Sequence, residues 1–336
     1  MEILQEGQGE LIGWHDPDEN RQFVLENKSR ALKDKTMSAK EAVSRFVQDG
    51  YFIASGGFGH VRVSMCIVYE IIRQGKRNLI MAGKTAVHDL DVLVGNECVN
   101  RVETAYSFGH EVRGLSPASR RMVETGRCKV VAETSNAGYQ WRFLAGMMGV
   151  PFIPSRNLLG TDTGKYSSIK VVRDPFSGKP VTLIPAAYPD AAFIHVHRCD
   201  KYGNSQIDGI MVEDFELARC ARRLIITTEK IIDNEVIRAE PWRTVIPFYL
   251  VDAVVEQRYG SHPCELHGQY FFDEEHLAEW LSVSKTDEGV KEYSQKYIFG
   301  VSDFDQYLEV CGGAKKLDFL TRREAMEVPL ITPWRK

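Results

Sequence analysis

From residue 38 onward the apolar positions switch repeatedly between the period of a strand and the period of a helix. Ser38-Ala39-Lys40-Glu41, a serine followed three residues later by glutamate, predicts a capped helix start, and the positions behind it form a short amphipathic helix through Phe46 and Val47. The apolar run up to Ile53 and Ala54 predicts a buried strand delivered into Gly56-Gly57-Phe58-Gly59. Val63 to Arg73 repeats apolar residues at helical spacing and closes at Gly75. Asn78 to Ala82 predicts a strand ending at Gly83, Leu90 to Val94 a short helix, and Val99 to Tyr106 a strand. Leu115 to Thr125, with Pro117 in its first turn, predicts a helix, Lys129 to Ala132 a strand, and Tyr139 to Met148 a helix stopped by Gly149. Strands alternating with helices of about ten residues predict βαβ units, hence an α/β fold on an open, mostly parallel sheet.

Further along, Val181 to Ile184, Ala191 to His195, Leu224 to Thr228 and Val251 to Val255 read as strands, and Glu213 to Arg222 as a helix. Pro151 to Lys179, rich in Gly, Pro, Ser and Asp, reads as a functional loop region or an insertion. Asp273 to Ala325 is helical and charged. Residues 1–36 differ from the rest, with turn-prone His15-Asp16-Pro17-Asp18 and sparse apolar positions from Arg21 to Lys35. They read either as an extension lying over the domain or a partner chain, or as a loose tail, and 37–330 as one domain.

Composition narrows the function. With 43% apolar and 26% charged residues and a formal net charge of -4, the chain is an ordinary globular one. It has no dense Lys/Arg tract, so no footprint for nucleic acid. No apolar run reaches the roughly 18 residues of a membrane span, and Met1 to Gly13 has no signal-peptide pattern. Seven cysteines, none in a Cys-x-x-Cys pair, fit free thiols in a reducing cytoplasm.

Several patterns invite chemistry. The Gly56-Gly57 bend lets a ligand or a neighbouring backbone approach closely; it is equally read as a plain turn between strand and helix. Gly160 to Lys165 fails as a phosphate loop, having three residues between its glycines and Tyr166 after the lysine. His195 and His197 share a strand face and suit either a metal ion or loop hydrogen bonds, the second being the simpler reading. No Gly-x-Ser-x-Gly elbow is present. Glu111, in the loop Phe108 to Gly114, and Glu133, directly after the strand Lys129 to Ala132, would lie at the carboxyl side of a parallel sheet. Each suits an acid, base or nucleophile, and equally a helix cap or an arginine partner.

Asp49-Gly50 with Gly56-Gly57-Phe58 resembles the alpha-subunit signature of class I coenzyme A transferases. Leu93 to Asn96, Gly149 to Pro154, Ile231 to Arg238, Val251 to Val254 and Tyr259 to Pro263 are similar, in order, to glutaconate CoA-transferase alpha subunits, so the resemblance spans about residues 37–325. It implies an open α/β sheet of the CoA-transferase type with helices on both faces. It also implies an obligate beta subunit that carries the nucleophilic glutamate, and ping-pong transfer of CoA from an acyl-CoA to a carboxylic acid. No bound cofactor is implied; the CoA thioester is a substrate. Gly56, Gly57 and Phe58 would contribute to substrate and oxyanion binding, and Arg62 would hold a substrate carboxylate. Gly83 and Lys84, Phe108 and Gly109, and Asn136 are further substrate- or CoA-binding candidates, with Glu133 and Glu111 as candidate catalytic groups. The stretch Gly59 to Ser64 lacks the proline many members carry, and Asn136 stands where some ring-opening hydrolases carry an acid. Acyl-CoA hydrolases and decarboxylases share the scaffold, and a purely acyl-CoA-binding scaffold protein is the non-enzyme alternative.

Overall fold

The computed structural model describes residues 2–110 and 113–328. It opens with strand β1 (Ile3–Glu6) and helix α1 (Pro17–Asn27), and then alternates. In order come α2 (Ala39–Phe46), β2 (Phe52–Ser55), α3 (Met65–Arg73), β3 (Leu79–Lys84), α4 (His88–Gly95), β4 (Val99–Ala105), α5 (Pro117–Glu124), β5 (Lys129–Glu133) and α6 (Asn136–Met148). Local chemistry explains the boundaries. The Ser38 hydroxyl accepts from the Glu41 N–H at 3.1 Å, as the capping pattern requires, and Gly149 ends α6 at φ 68. Helix α3 starts two residues later than its periodicity suggests, because Arg62 takes a left-handed φ of 57 and Val63 and Ser64 turn the chain into the helix. Ser38→Ala, at an exposed cap, is expected to lower stability by about 1 kcal/mol, read as a shift in denaturation midpoint at unchanged m-value.

After α6 the chain forms β6 (Phe152–Ser155), the one-turn α7 (Asp162–Lys165), β7 (Lys170–Arg173) and β8 (Pro180–Pro185). The stretch read as a loop region is thus largely a small antiparallel sheet, ordered β1-β7-β8-β6. Its strands are short and half-exposed, with prolines at Pro154, Pro180 and Pro185, which hides the strand signal. The first strand of that sheet is the N-terminal segment itself, Ile3 opposite Val172. Residues 17–27 form a helix capped by Asp16, whose carboxylate accepts from the Asp18 N–H at 2.9 Å. Just beyond it the buried Lys28 ammonium pairs with Asp252 at 3.0 Å, tying this segment to the domain.

The remainder comprises β9 (Ala191–Val196), β10 (Arg198–Cys199), β11 (Ser205–Gln206), α8 (Asp214–Cys220), β12 (Leu224–Thr228), α9 (Asn234–Ala239), β13 (Thr244–Ile246), β14 (Ala253–Glu256) and four C-terminal helices. These are α10 (Glu274–Val283), α11 (Asp287–Ser294), α12 (Phe304–Val310) and α13 (Gly313–Glu324). The main sheet has seven strands in the order β14-β12-β9-β2-β3-β4-β5, and all six pairings are parallel. Alternate residues face opposite layers. Ile53, Met81, Phe193 and Ile225 pack with α3, α4 and the C-terminal helices; Phe52, Ala82, Ile194 and Ile226 pack with α6 and α8. The helices therefore cover both faces, which is why the strands read as continuous apolar runs. Among the described residues no helix is long and apolar enough to cross a membrane.

Candidate active site

The chain builds β3, β4 and β5 to one side of β2, then returns to lay β9, β12 and β14 on the other. The order reverses between β2 and β9. In open α/β sheets that switch point, outside the carboxyl ends of the strands, is where a crevice opens for ligand. The Gly56-Gly57-Phe58-Gly59 bend follows β2 there. Gly57 lies at φ 84, and a Cβ on it would press on the carbonyl oxygen of Val61 and lie 2.7 Å from that of Arg62. Only glycine fits.

The bend's donors are all engaged within the chain. Gly56 N–H donates to Phe193 O at 2.9 Å, Phe58 N–H to Val61 O at 2.9 Å and Gly59 N–H to Thr85 O at 3.1 Å. Gly57 N–H donates to the Asp214 carboxylate at 3.0 Å. The expectation that this bend offers amides to an oxyanion is therefore corrected: it shapes a wall, and its N–H groups hold it rigid.

Arg62 is corrected too. Its guanidinium is buried and donates to Asp214 at 2.6 and 3.1 Å, to His195 O at 3.3 Å and to Ile210 O at 3.0 Å. A side chain so engaged is a strut under the bend and not a hand held out to a substrate carboxylate. Burial pushes the Asp214 carboxyl up, but the Arg62 charge and hydrogen bonds, with the Val212 and Gly57 amides, outweigh it and hold the group below the usual carboxylate range.

Lys84 ends β3 and lines a crevice with Gly56, Gly57, Phe58, Thr85 and Asp89. Its ammonium lies 3.3 Å from the Gln140 amide oxygen and 3.5 Å from Glu213. Gly83 is packed so tightly that a Cβ would meet Ala86, and its carbonyl accepts from the Ser107 hydroxyl at 2.8 Å. That bond draws the loop after β4 toward the crevice. Phe108 sits there at φ 66 with its N–H on Ala86 O at 3.2 Å, and Gly109 bridges to Leu115. Glu111 lies outside the described residues. Asn136 opens α6 and its side-chain oxygen is buried without a partner.

Glu133 ends β5, opposite Thr104 of β4. Three strand spacings separate β5 from β2, about 14 Å at ~4.8 Å each, so Glu133 borders the site and does not reach the bend. Sequence reasoning missed Asp214, Glu213 and Asp89. Burial, opposed by the Leu90 and Val87 amides and the Ser55 hydroxyl, pushes the Asp89 carboxyl up to about 6. The visible signal was two adjacent acids, Glu213-Asp214, at a predicted helix start; nothing local says that they face Arg62 and Lys84.

On the other side of the switch point, a cleft of about 790 Å³ lies over the ends of β9, β12 and β14, lined among others by His197, Arg198, Glu229, Lys230 and Tyr259. Glu229 accepts from the Tyr259 N–H at 2.8 Å and the Tyr270 hydroxyl at 2.9 Å, and sits 2.9 Å from His195 Nε2. His197 Nε2 donates to His267 O at 2.8 Å and its Nδ1 accepts from the Asp208 N–H at 3.1 Å. Both imidazoles hold loops, the simpler of their two sequence readings. Among the described residues no three potential metal ligands converge.

A parallel sheet whose glycine bend at the switch point walls a crevice, with a buried ion pair beneath it, defines an α/β protein of the CoA-transferase fold. The Coenzyme A transferase family profile matches residues 36–257, and the chain belongs to that family. An uncharacterised protein of Archaeoglobus fulgidus is 64% identical over 100% of this chain and 75% of its own length. The A-type chain of glutaconate CoA-transferase from Acidaminococcus fermentans is 32% identical over 84% of this chain and 94% of its own. The crystal structure of that organism's glutaconate coenzyme A-transferase superposes with a TM-score of 0.82 at 30% identity, covering 89% of this chain and 96% of the other. The A-type chain of 3-oxoadipate CoA-transferase from Pseudomonas knackmussii is 32% identical over 81% of this chain and 96% of its own. The chain is thus the A-type, or alpha, component of a CoA-transferase.

Proposed function

We propose that this chain is the substrate-shaping half of a two-chain, cytoplasmic enzyme that moves CoA from an acyl-CoA to a carboxylic acid, the nucleophilic glutamate standing on a B-type partner. One observation carries the need for a partner: among the described residues no free carboxylate faces the glycine bend. Asp214 is paired with Arg62, Asp89 is buried and hydrogen-bonded, and Glu133 lies three strands away. The named relatives act on glutaconate and 3-oxoadipate, both dicarboxylates, which supports a dicarboxylate as substrate.

The chemistry balances without a cofactor. The glutamate carboxylate attacks the thioester carbonyl and expels CoA thiolate, giving an acyl-glutamyl anhydride. The thiolate attacks the glutamyl carbonyl, releasing the first acid and leaving a glutamyl-CoA thioester. The acceptor carboxylate then runs both steps in reverse. Splitting one difficult transfer into two easier ones is the gain. In this scheme the bend and Phe58 wall the thioester in, and the partner completes the site.

The test is co-expression with a B-type chain and assay of CoA exchange with and without an acceptor acid. Exchange that requires both chains and an acceptor, with borohydride inactivation mapped to a partner glutamate, is the expected result. Thioester loss without an acceptor, or release of carbon dioxide, would assign a hydrolase or a decarboxylase instead.

A further inference from the structure

We propose that Lys84 is this chain's anchor for a substrate carboxylate, with Gln140 and Glu213 as positioning residues that aim it into the crevice. The inference rests on the transfer reading above for its substrate class, and on geometry for its residues. Lys84 ends the strand next to β2 and lines the crevice beside Gly56, Gly57 and Phe58. Arg62, the other cation beneath the bend, is taken by Asp214 at 2.6 Å. Lys84 is held loosely by comparison. An ammonium has three donors, and its contacts to Gln140 at 3.3 Å and Glu213 at 3.5 Å are long against about 2.8 Å for a charge-assisted bond. Its side chain is only 9% exposed and that of Glu213 only 1%. The Glu213 Oε2 makes no hydrogen bond of its own. A buried, weakly engaged cation at a ligand crevice is suited to a carboxylate.

Glu213 tunes this. Burial first, then the adjacent Asp214 charge, pushes its carboxyl up to about 8, against the pull of Lys84. At pH 7 it mostly carries its proton and leaves the ammonium's charge to a ligand. The groups facing it are the Asp214–Arg62 pair, Glu216 reached through Gln140 on α6, Tyr139 on α6 and, from α4, Asp89 at the crevice wall. As pH rises through about 8, Glu213 ionises and competes for Lys84. Carboxylate affinity is therefore full below that value and declines above it.

The carboxylate could be the distal one of a dicarboxylyl-CoA or that of the acceptor acid, and kinetics on the two-chain complex separate them. Lys84→Met is expected to raise KM at least 10-fold. The rise falls on glutaryl-CoA and not on butyryl-CoA if the distal group is recognised, and on an acetate acceptor with either donor if the acceptor is. Calorimetric titration of the complex with glutarate reads the site independently of turnover. Wild type is expected to bind at pH 7, at least 10-fold more weakly at pH 9.5, and Glu213→Gln to bind alike at both. Equal glutarate affinity in wild type and K84M, or an unchanged pH profile in E213Q, overturns the inference. If K84M does not assemble, the E213Q profile alone decides. Lys84-dependent glutarate binding in a complex that shows no acceptor-dependent exchange would sink the transfer reading and leave the anchor standing.

Discussion

Replacing Asp214 by alanine is expected to destabilise the chain by about 3–5 kcal/mol at neutral pH, the range for removing one member of a buried ion pair. The reason is the partner left behind. Arg62 is buried at a left-handed φ of 57 and cannot reach water without unmaking the turn that precedes α3. The same substitution strips the Gly57 N–H of its acceptor, a further penalty of about 1–3 kcal/mol for an unsatisfied buried donor. These contributions overlap and do not simply add. The pH dependence has a definite sign. Asp214 has a depressed folded pKa, so the pair's contribution is complete above the ordinary carboxylate range, near 4. It is lost as pH falls through the lower folded value. Arg62→Met with Asp214→Leu, which removes both charges, should recover most of the lost stability and fall short by the unsatisfied Gly57 N–H. Denaturant midpoints of the single and double variants decide the matter. A D214A variant within 1 kcal/mol of wild type would show that the pair is not a strut.

The elements were legible because each announces itself locally. Ser38 caps what its hydroxyl predicts, Gly149 stops the helix it follows, and buried strands read as apolar runs because helices cover both faces. The glycine bend was legible for the same reason: two adjacent glycines after an apolar run mean a backbone that something approaches. What was not legible is who approaches. Arg62 and Asp214 lie 152 residues apart, and they meet only because the chain lays β9 beside β2. No periodicity encodes that order. An arginine after a glycine-rich bend looks like an anion receptor, and its burial against a distant aspartate overturns the guess. Glu133 failed in the opposite way. It does end its strand at the carboxyl edge, but register and strand order place it three strands from the bend. The stretch Pro151 to Lys179 was misread because its short strands bury one face only and are interrupted by prolines.

Gly57→Ala separates the bend's shape from simple backbone strain. Gly57 and Gly50 have nearly the same left-handed backbone, φ 84 and 81, so alanine at either incurs about 1–2 kcal/mol of conformational strain. Their surroundings differ. A Cβ at Gly50 meets nothing within 4 Å, whereas at Gly57 it meets the Val61 and Arg62 carbonyls. Those backbone oxygens can yield only if the tight turn closed by Phe58 and Val61 opens. Opening it displaces Phe58, part of the crevice wall, and loosens the Gly57 bond to Asp214. A misplacement of about 1 Å at a catalytic wall can lower turnover some 100-fold. The two-chain enzyme carrying Gly57→Ala is therefore expected to lose about two orders of magnitude in kcat/KM, beyond any loss of stability. Gly50→Ala should lose stability alone and keep its kcat/KM. If both variants show the same modest destabilisation and unchanged turnover, the bend is an ordinary turn, and the wall of the active site must be sought elsewhere along the sheet edge.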